Sequence, residues 1–184
     1  LSDIEEGDVL FVDEFHRLGK GTEELLYPAL ESGALHFVLG KGMGGRMITL
    51  DLPPFTLVAA TTRIDLLSAP LRSRFGGVFR LDYYTHEEIG KILLRSAAIL
   101  GARLEQPAVE MLAHASRLTP RIANRLLRRC RDFAEIKRSG TITPDVVAKM
   151  LSLLSIDAMG LEAHDRSLLL AILEKFHNRP VGIN

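Results

Sequence analysis

Residues 9–14 read Val-Leu-Phe-Val-Asp-Glu, and no other stretch constrains the fold of this chain as tightly. An apolar run this short suits a parallel strand covered on both faces. Its carboxyl end meets two adjacent acids, Asp13 and Glu14, with His16 close behind. A second run, residues 55–60, closes on Thr61-Thr62-Arg63 and so ends in hydroxyls. Two buried strands with polar ends imply an α/β sheet whose strand ends carry chemistry.

The segments around these strands fill in the α/β part. Thr22, followed by Glu23 and Glu24, reads as a helix start, because acids in a first turn complement the helix dipole. That helix carries Leu25, Leu26 and Leu30, with Pro28 expected to kink it or to mark an irregular start. Residues 34–39 and 46–52 flank Gly40-Lys41-Gly42-Met43-Gly44-Gly45 and predict a hairpin with a glycine-rich tip. Pro70 leads into Leu71-Arg72-Ser73-Arg74-Phe75, and residues 78–81 predict a short third strand.

From Thr85 the pattern becomes helical. Thr85-His86-Glu87-Glu88 is a capping box, followed by Ile89, Ile92, Leu93 and Ala97 at helical spacing. Pro107 suits the first position of a helix bearing Val109, Leu112 and Ala113. Thr119-Pro120 and Thr143-Pro144 repeat the cap-then-proline signal, and a last helix is expected from Leu168 to Phe176. The expected organisation is a large α/β part over residues 1–86, a helical part over 87–157, and the start of a further domain over 158–184.

Composition narrows the class. Hydrophobic residues make up 47% and charged residues 25% of the 184, with a net charge of +0, so any basic surface is local. A single cysteine, Cys130, rules out an internal disulfide and fits a reducing cytosol. No run approaches the ~20 apolar residues of a membrane span, and no signal-peptide pattern is present. The absence of an initiator Met, and an ending in Arg179-Pro180-Val181-Gly182-Ile183-Asn184, suggest a piece of a larger protein.

A strand ending in Asp-Glu suits nucleotide hydrolysis: the first acid holds Mg²⁺ through its water shell, and the second orients and polarises the attacking water. A threonine at the neighbouring strand end can sense the terminal phosphate. His16 has no second spaced histidine beside it and reads as a supporting or surface side chain. Arg72 and Arg74 follow a proline-bounded loop from which an exposed arginine could reach a neighbouring subunit's nucleotide. Arg121 stands in the first turn of its helix, where the dipole disfavours a cation unless an anion lies in front of it. Arg125, Arg128, Arg129 and Arg131 read as a solvated face, with nucleic-acid contact as the lesser alternative.

These segments together resemble a known family. LFVDEFHRL resembles the Walker B segment of AAA+ ATPases, FTLVAATTR the sensor 1 strand, APLRSRFG the arginine-finger loop, and LTPRIANRLLRRCRDFAEIK the sensor 2 helix. With YPALESG, LDLPPFTLV, LEKFHNRPVG and the glycine-tipped hairpin, the whole chain is similar to the RuvB family, bacterial motors of Holliday-junction branch migration.

The resemblance implies ATP and Mg²⁺ as cofactors, with Asp13 on the metal through water, Glu14 orienting the lytic water and Thr62 as the sensor 1 hydroxyl. Arg74 becomes the finger donated in trans within a homohexameric ring, supported by Arg72, and Arg121 reads the γ-phosphate. Glu31, Ser32, Gly33 and Tyr84 fall at nucleotide-proximal family positions. The hairpin bounded by Leu35 and Leu52 becomes the arm that docks on RuvA, with Met43 or Met47 as apolar contacts. RuvC and duplex DNA at Holliday junctions are the further implied partners, in recombination and repair in the bacterial cytoplasm. The implied fold is an AAA+ large subdomain, a helical lid and the opening of a winged-helix domain.

The chain also departs from the family. The phosphate loop, GxxxxGK followed by Ser or Thr, occurs nowhere in it, so the fragment alone is expected to be inactive. Leu118 stands where the family has Gly before Thr-Pro-Arg, at a turn that tolerates Gly, and Phe15 replaces the usual aliphatic residue. Two alternatives remain open at this point: another AAA+ machine such as a clamp-loader subunit, or a non-catalytic RuvA-binding remnant.

Overall fold

A computed structural model describes residues 3–39, 46–137, 140–176, 179 and 182; the expected hairpin tip with Met43 lies outside the described residues. The chain divides into two compact units, Leu1–Arg80 and Leu81–Asn184. In chain order the first contains β1 (Val9–Val12), α1 (Lys20–Ser32), β2 (Ala34–Leu39), β3 (Arg46–Asp51), β4 (Thr56–Ala59) and α2 (Ala69–Arg72). The second contains α3 (His86–Ile99), β5 (Arg103–Leu104), α4 (Gln106–Ala115), α5 (Pro120–Ile136), β6 (Thr141–Ile142), α6 (Pro144–Leu153) and α7 (Ala163–Phe176).

In the first unit β1 pairs in parallel with β4, in register from Val9 opposite Thr56 to Val12 opposite Ala59. The pairing runs on past the strands: the Ala60 N–H donates to Val12 and the Phe15 N–H to Ala60, both at 2.9 Å. This extension ties the Asp13-Glu14 segment to the end of β4. Below it, fully buried Phe15 anchors a cluster with Leu26, Leu67 and Leu71, joined by Val12, Leu57 and Ala59 from the sheet. Phe75 meets the Phe15 ring edge to face, with centroids 5.7 Å apart. A buried aromatic of this kind contributes about 1.5–3 kcal/mol.

The expectation that β1 is covered on both faces does not hold within this unit. Val9 and Phe11 are 65% and 60% exposed, and Val58 beside them is also open. Side chains alternate along a strand, so the face opposite the Phe15 cluster receives no layer from the described residues of the unit.

Helix α1 begins two residues before Thr22. An extended Gly19 caps it, and the Thr22 N–H already bonds the Gly19 carbonyl, so Thr22 lies inside the first turn. Pro28 does not break it; the helix runs one more turn and stops at Gly33, whose φ of 66° provides the left-handed cap. There the Leu52 N–H bonds the Gly33 carbonyl at 2.6 Å, and the β2–β3 hairpin starts. Facing pairs place Phe37, Ile48 and Leu50 on one side, all exposed, and Met47 on the other with His36 and Thr49. The expected strand at residues 78–81 does not form: Phe79 and Leu81 are almost fully exposed, and no described strand edge pairs with them.

The second unit has a helical core of Ile89, Leu93, Leu112, Leu126, Leu127 and Val147, drawn from α3 to α6. The capping box is present in both directions, Glu88 N–H to Thr85 Oγ1 at 3.2 Å and Thr85 N–H to Glu88 Oε2 at 2.8 Å. Thr143 caps α6 by accepting the Val146 N–H. Glu105 caps α4, which moves Pro107 to the second helical position rather than the first. Among the described residues no helix is long and apolar enough to cross a membrane.

Helix α7 starts at Ala163, ahead of the expected Leu168, because Asp165 Oδ2 accepts the Glu162 N–H and organises its first turn. The preceding loop is built on Asp157, whose Oδ1 accepts the Met159 and Leu161 N–H groups at 2.9 Å each. Arg166 donates to the Leu161 and Ser155 carbonyls, while Arg117 pairs with Asp165 at 3.1 Å and Arg125 with Glu162 at 3.2 Å. Gly160, with φ of 81°, sits directly against the Ala115 carbonyl at the end of α4.

Candidate functional site

The carboxyl ends of β1 and β4 assemble the candidate site of the first unit. Just past β1 the backbone turns sharply, and Glu14 takes φ 48° and ψ 44°, in the left-handed region. For a non-glycine residue that conformation costs about 1–2 kcal/mol. The Asp13 carboxylate supports the turn by accepting the Glu14 N–H on Oδ1 at 2.8 Å. The turn aims Glu14 across the strand ends, where Oε2 lies 3.5 Å from the Thr62 hydroxyl and 3.3 Å from His16 Nδ1. The same His16 nitrogen is 2.8 Å from Thr61 Oγ1, which accepts the Arg63 N–H at 3.0 Å. With the proton on Nδ1, His16 donates to Thr61 Oγ1, and the ring stays within ion-pair distance of the glutamate.

One carboxylate oxygen of Glu14 is thus fixed, and the other has no partner among the described residues, so it can accept a proton or orient a water. Asp13 is exposed, and its Oδ2 has no hydrogen-bond or ion-pair partner among the described residues. The described residues contain no group of three or more His, Cys, Asp or Glu able to hold a metal. A hard cation such as Mg²⁺, which takes one or two carboxylates and retains its waters, fits this single open oxygen; a closed cage does not. When bound with a nucleotide, Mg²⁺ neutralises charge on the phosphate oxygens.

Asp13, Glu14 and Thr62 therefore come together. Of the two alternatives the sequence left for His16, the supporting one is what forms, since its ring lies against Glu14. Sequence reasoning missed Thr61, which holds that ring and whose adjacency to Thr62 was the available signal. Arg74 is elsewhere in the unit and engaged within the chain: Nη2 lies 2.9 Å from Glu31 Oε1, Nη1 donates to the Pro70 carbonyl at 2.7 Å, and the guanidinium covers the Tyr27 ring at 4.9 Å. Arg72 is exposed. Ser32 bonds back to the Pro28 carbonyl, and Gly33 serves the helix cap.

In the second unit, Arg121 is the second residue of α5, exposed and without an ion-pair or hydrogen-bond partner among the described residues. Tyr84 lies just before α3, about half-exposed. The turn into α5 places two non-glycine residues in succession in the left-handed region, Arg117 at φ 54° and Leu118 at φ 57°. Position 118 thus has the backbone that glycine favours, in keeping with the glycine that the sequence resemblance implies there. Cys130 is buried on α5, and desolvation pushes its thiol up to about 12.

A parallel-sheet α/β unit with acids and a threonine at adjacent strand ends, followed by a helical lid, is the AAA+ class of nucleotide-dependent machines. Residues 1–81 match the family described as Holliday junction DNA helicase RuvB P-loop domain, and residues 84–157 match the RuvB AAA lid domain. The chain belongs to the RuvB family. Among solved structures, the Thermotoga maritima RuvB Holliday junction branch migration motor is 45% identical and superposes with a TM-score of 0.82. The alignment covers 99% of this chain and 56% of that one. Two single-substitution variants of the same Thermotoga maritima protein give TM-scores of 0.84 and 0.82 at 44% and 46% identity, with 99% of this chain covered and 57% and 56% of theirs. The chain thus spans little more than half the length of these structures.

Proposed function

We propose that this chain forms part of an ATP-driven DNA motor subunit that works in a homohexameric ring at Holliday junctions, in the bacterial cytoplasm. Asp13 associates with Mg²⁺ through water, and Glu14 orients the attacking water through its unpartnered oxygen. Thr62 couples that carboxylate to the terminal phosphate, and Arg121 reads the same phosphate from the lid, beside Tyr84. Arg74, supported by Arg72, acts on the nucleotide of the adjacent subunit. The hairpin docks on RuvA through the exposed stripe of Phe37, Ile48 and Leu50, with RuvC and duplex DNA completing the assembly. The further proposal for residues 158–184 is that they open a winged-helix domain.

The observation that carries this reading is the Glu14 carboxylate, held by Thr62 and His16 in a strained backbone at the ends of two parallel strands. Its test uses subunits in which this chain is preceded by a phosphate-loop segment. There Glu14→Gln is expected to lower kcat for ATP by about 10²-fold or more with little change in KM, the loss typical of a missing general base. An unchanged kcat would overturn the reading. Stimulation of turnover by RuvA and junction DNA separates this motor from other AAA+ machines.

A further inference from the structure

Among the described residues, Arg74 is the one of the proposed nucleotide-acting arginines, Arg72, Arg74 and Arg121, whose guanidinium is already engaged within the chain. Its side chain is 23% exposed, and its guanidinium is spread over three partners on two elements: Glu31 and Tyr27 from α1, and the Pro70 carbonyl from α2. Nε is buried and has no acceptor. A guanidinium acting on a phosphoryl group must offer its fork of donors outward, and here both terminal nitrogens are already engaged.

We propose that Glu31 and Tyr27 form an in-chain cradle that holds Arg74 out of use. The cradle releases Arg74 when a phosphate oxygen of the neighbouring subunit's nucleotide displaces the Glu31 carboxylate. This rests on the reading of Arg74 as donated in trans. Three features make the pose an exchangeable one. The Glu31 side chain is 63% exposed, so the ion pair is solvated and weak. The orphaned Nε leaves one donor unpaid for by any acceptor, which favours departure. The Tyr27 hydroxyl is pinned to Ser68 Oγ at 2.9 Å, so the ring stays in place when the arginine leaves. Glu31 therefore acts as a positioning residue on Arg74 rather than on the nucleotide bound by its own subunit.

The test is ATP turnover in rings of subunits that carry this chain behind a phosphate-loop segment. Glu31→Gln keeps the size of the side chain and removes its charge. It is expected to raise kcat about two- to fivefold, the population shift an exposed pair is worth, with KM for ATP unchanged. In an Arg74→Ala background the same substitution should do nothing. Glu31→Asp, one methylene shorter, should give a smaller rise in the same direction. An effect of Glu31→Gln that persists without Arg74, a fall in kcat, a change confined to KM, or no effect while Arg74→Ala is impaired overturns the cradle. Arg74→Ala turning over at the parent rate overturns the in-trans reading instead.

Discussion

Replacing Gly160 by alanine should destabilise the second unit more than any other single methyl at a glycine with positive φ. Two costs add. The φ of 81° is a left-handed conformation, worth about 1–2 kcal/mol against an L side chain. The new Cβ would also stand 2.9 Å from the Ala115 carbonyl carbon and from Arg117 Cγ, and closer still to the Ala115 oxygen. Ala115 is backbone at the end of a buried helix and cannot swing aside, so overpacking adds about 1–3 kcal/mol. The total is about 2–5 kcal/mol. Gly101 supplies the control, since its φ is 65° and nothing lies within 4 Å of a Cβ there. Gly101→Ala should therefore show the conformational cost alone, and the unfolded-state entropy gained by either alanine cancels in the comparison. Urea unfolding followed by far-ultraviolet circular dichroism reads both; with a slope of about 1–2 kcal/mol/M, Gly160→Ala should fall at least about 0.5–1 M below Gly101→Ala. Coincident midpoints would refute the reasoning, because the loop would then yield without cost.

Other outcomes follow from the second unit. Thr85→Ala should cost about 1 kcal/mol at neutral pH, measured by thermal or urea unfolding. The Thr85 N–H and then its hydroxyl hold the Glu88 carboxyl below its ordinary range, so this stabilisation is present above the unfolded value of 4.5 and is lost as the pH falls through the lowered one. The Thr85→Ala penalty should accordingly shrink toward pH 3. Cys130 should resist iodoacetamide in the native chain and react fully in denaturant. Because burial raises its thiol from 9.0 to about 12, the unfolded chain loses that proton first. Stability is thus intact below pH 9 and falls as the pH climbs from there through 12, a trend that Cys130→Ala should flatten.

What could be read from the sequence follows the range of the interactions involved. The capping box at Thr85 and the strand at Val9–Val12 are local, encoded within a few residues, and both form where expected. The strand expected at residues 78–81 depended on an edge to pair with, which no local pattern specifies. The gathering of Asp13, Glu14 and Thr62 was legible because acids and threonines close two apolar runs that only a parallel sheet brings together. The left-handed turn at Glu14 was not, since glutamate carries no propensity for it. Nor was the Glu31–Arg74 pair, whose members lie far apart in sequence and meet only because α1 and α2 share the Phe15 cluster.

The backbone at Glu14 has a consequence for any attempt to make this protein sturdier. Selection for thermal tolerance alone would favour glycine or asparagine at position 14, since either accepts φ 48° at little cost. Such a variant would melt later and do less, having surrendered the carboxylate at the strand ends. Robustness and turnover therefore compete at this one residue, and a screen scored on melting temperature would discard the side chain that the proposed chemistry needs.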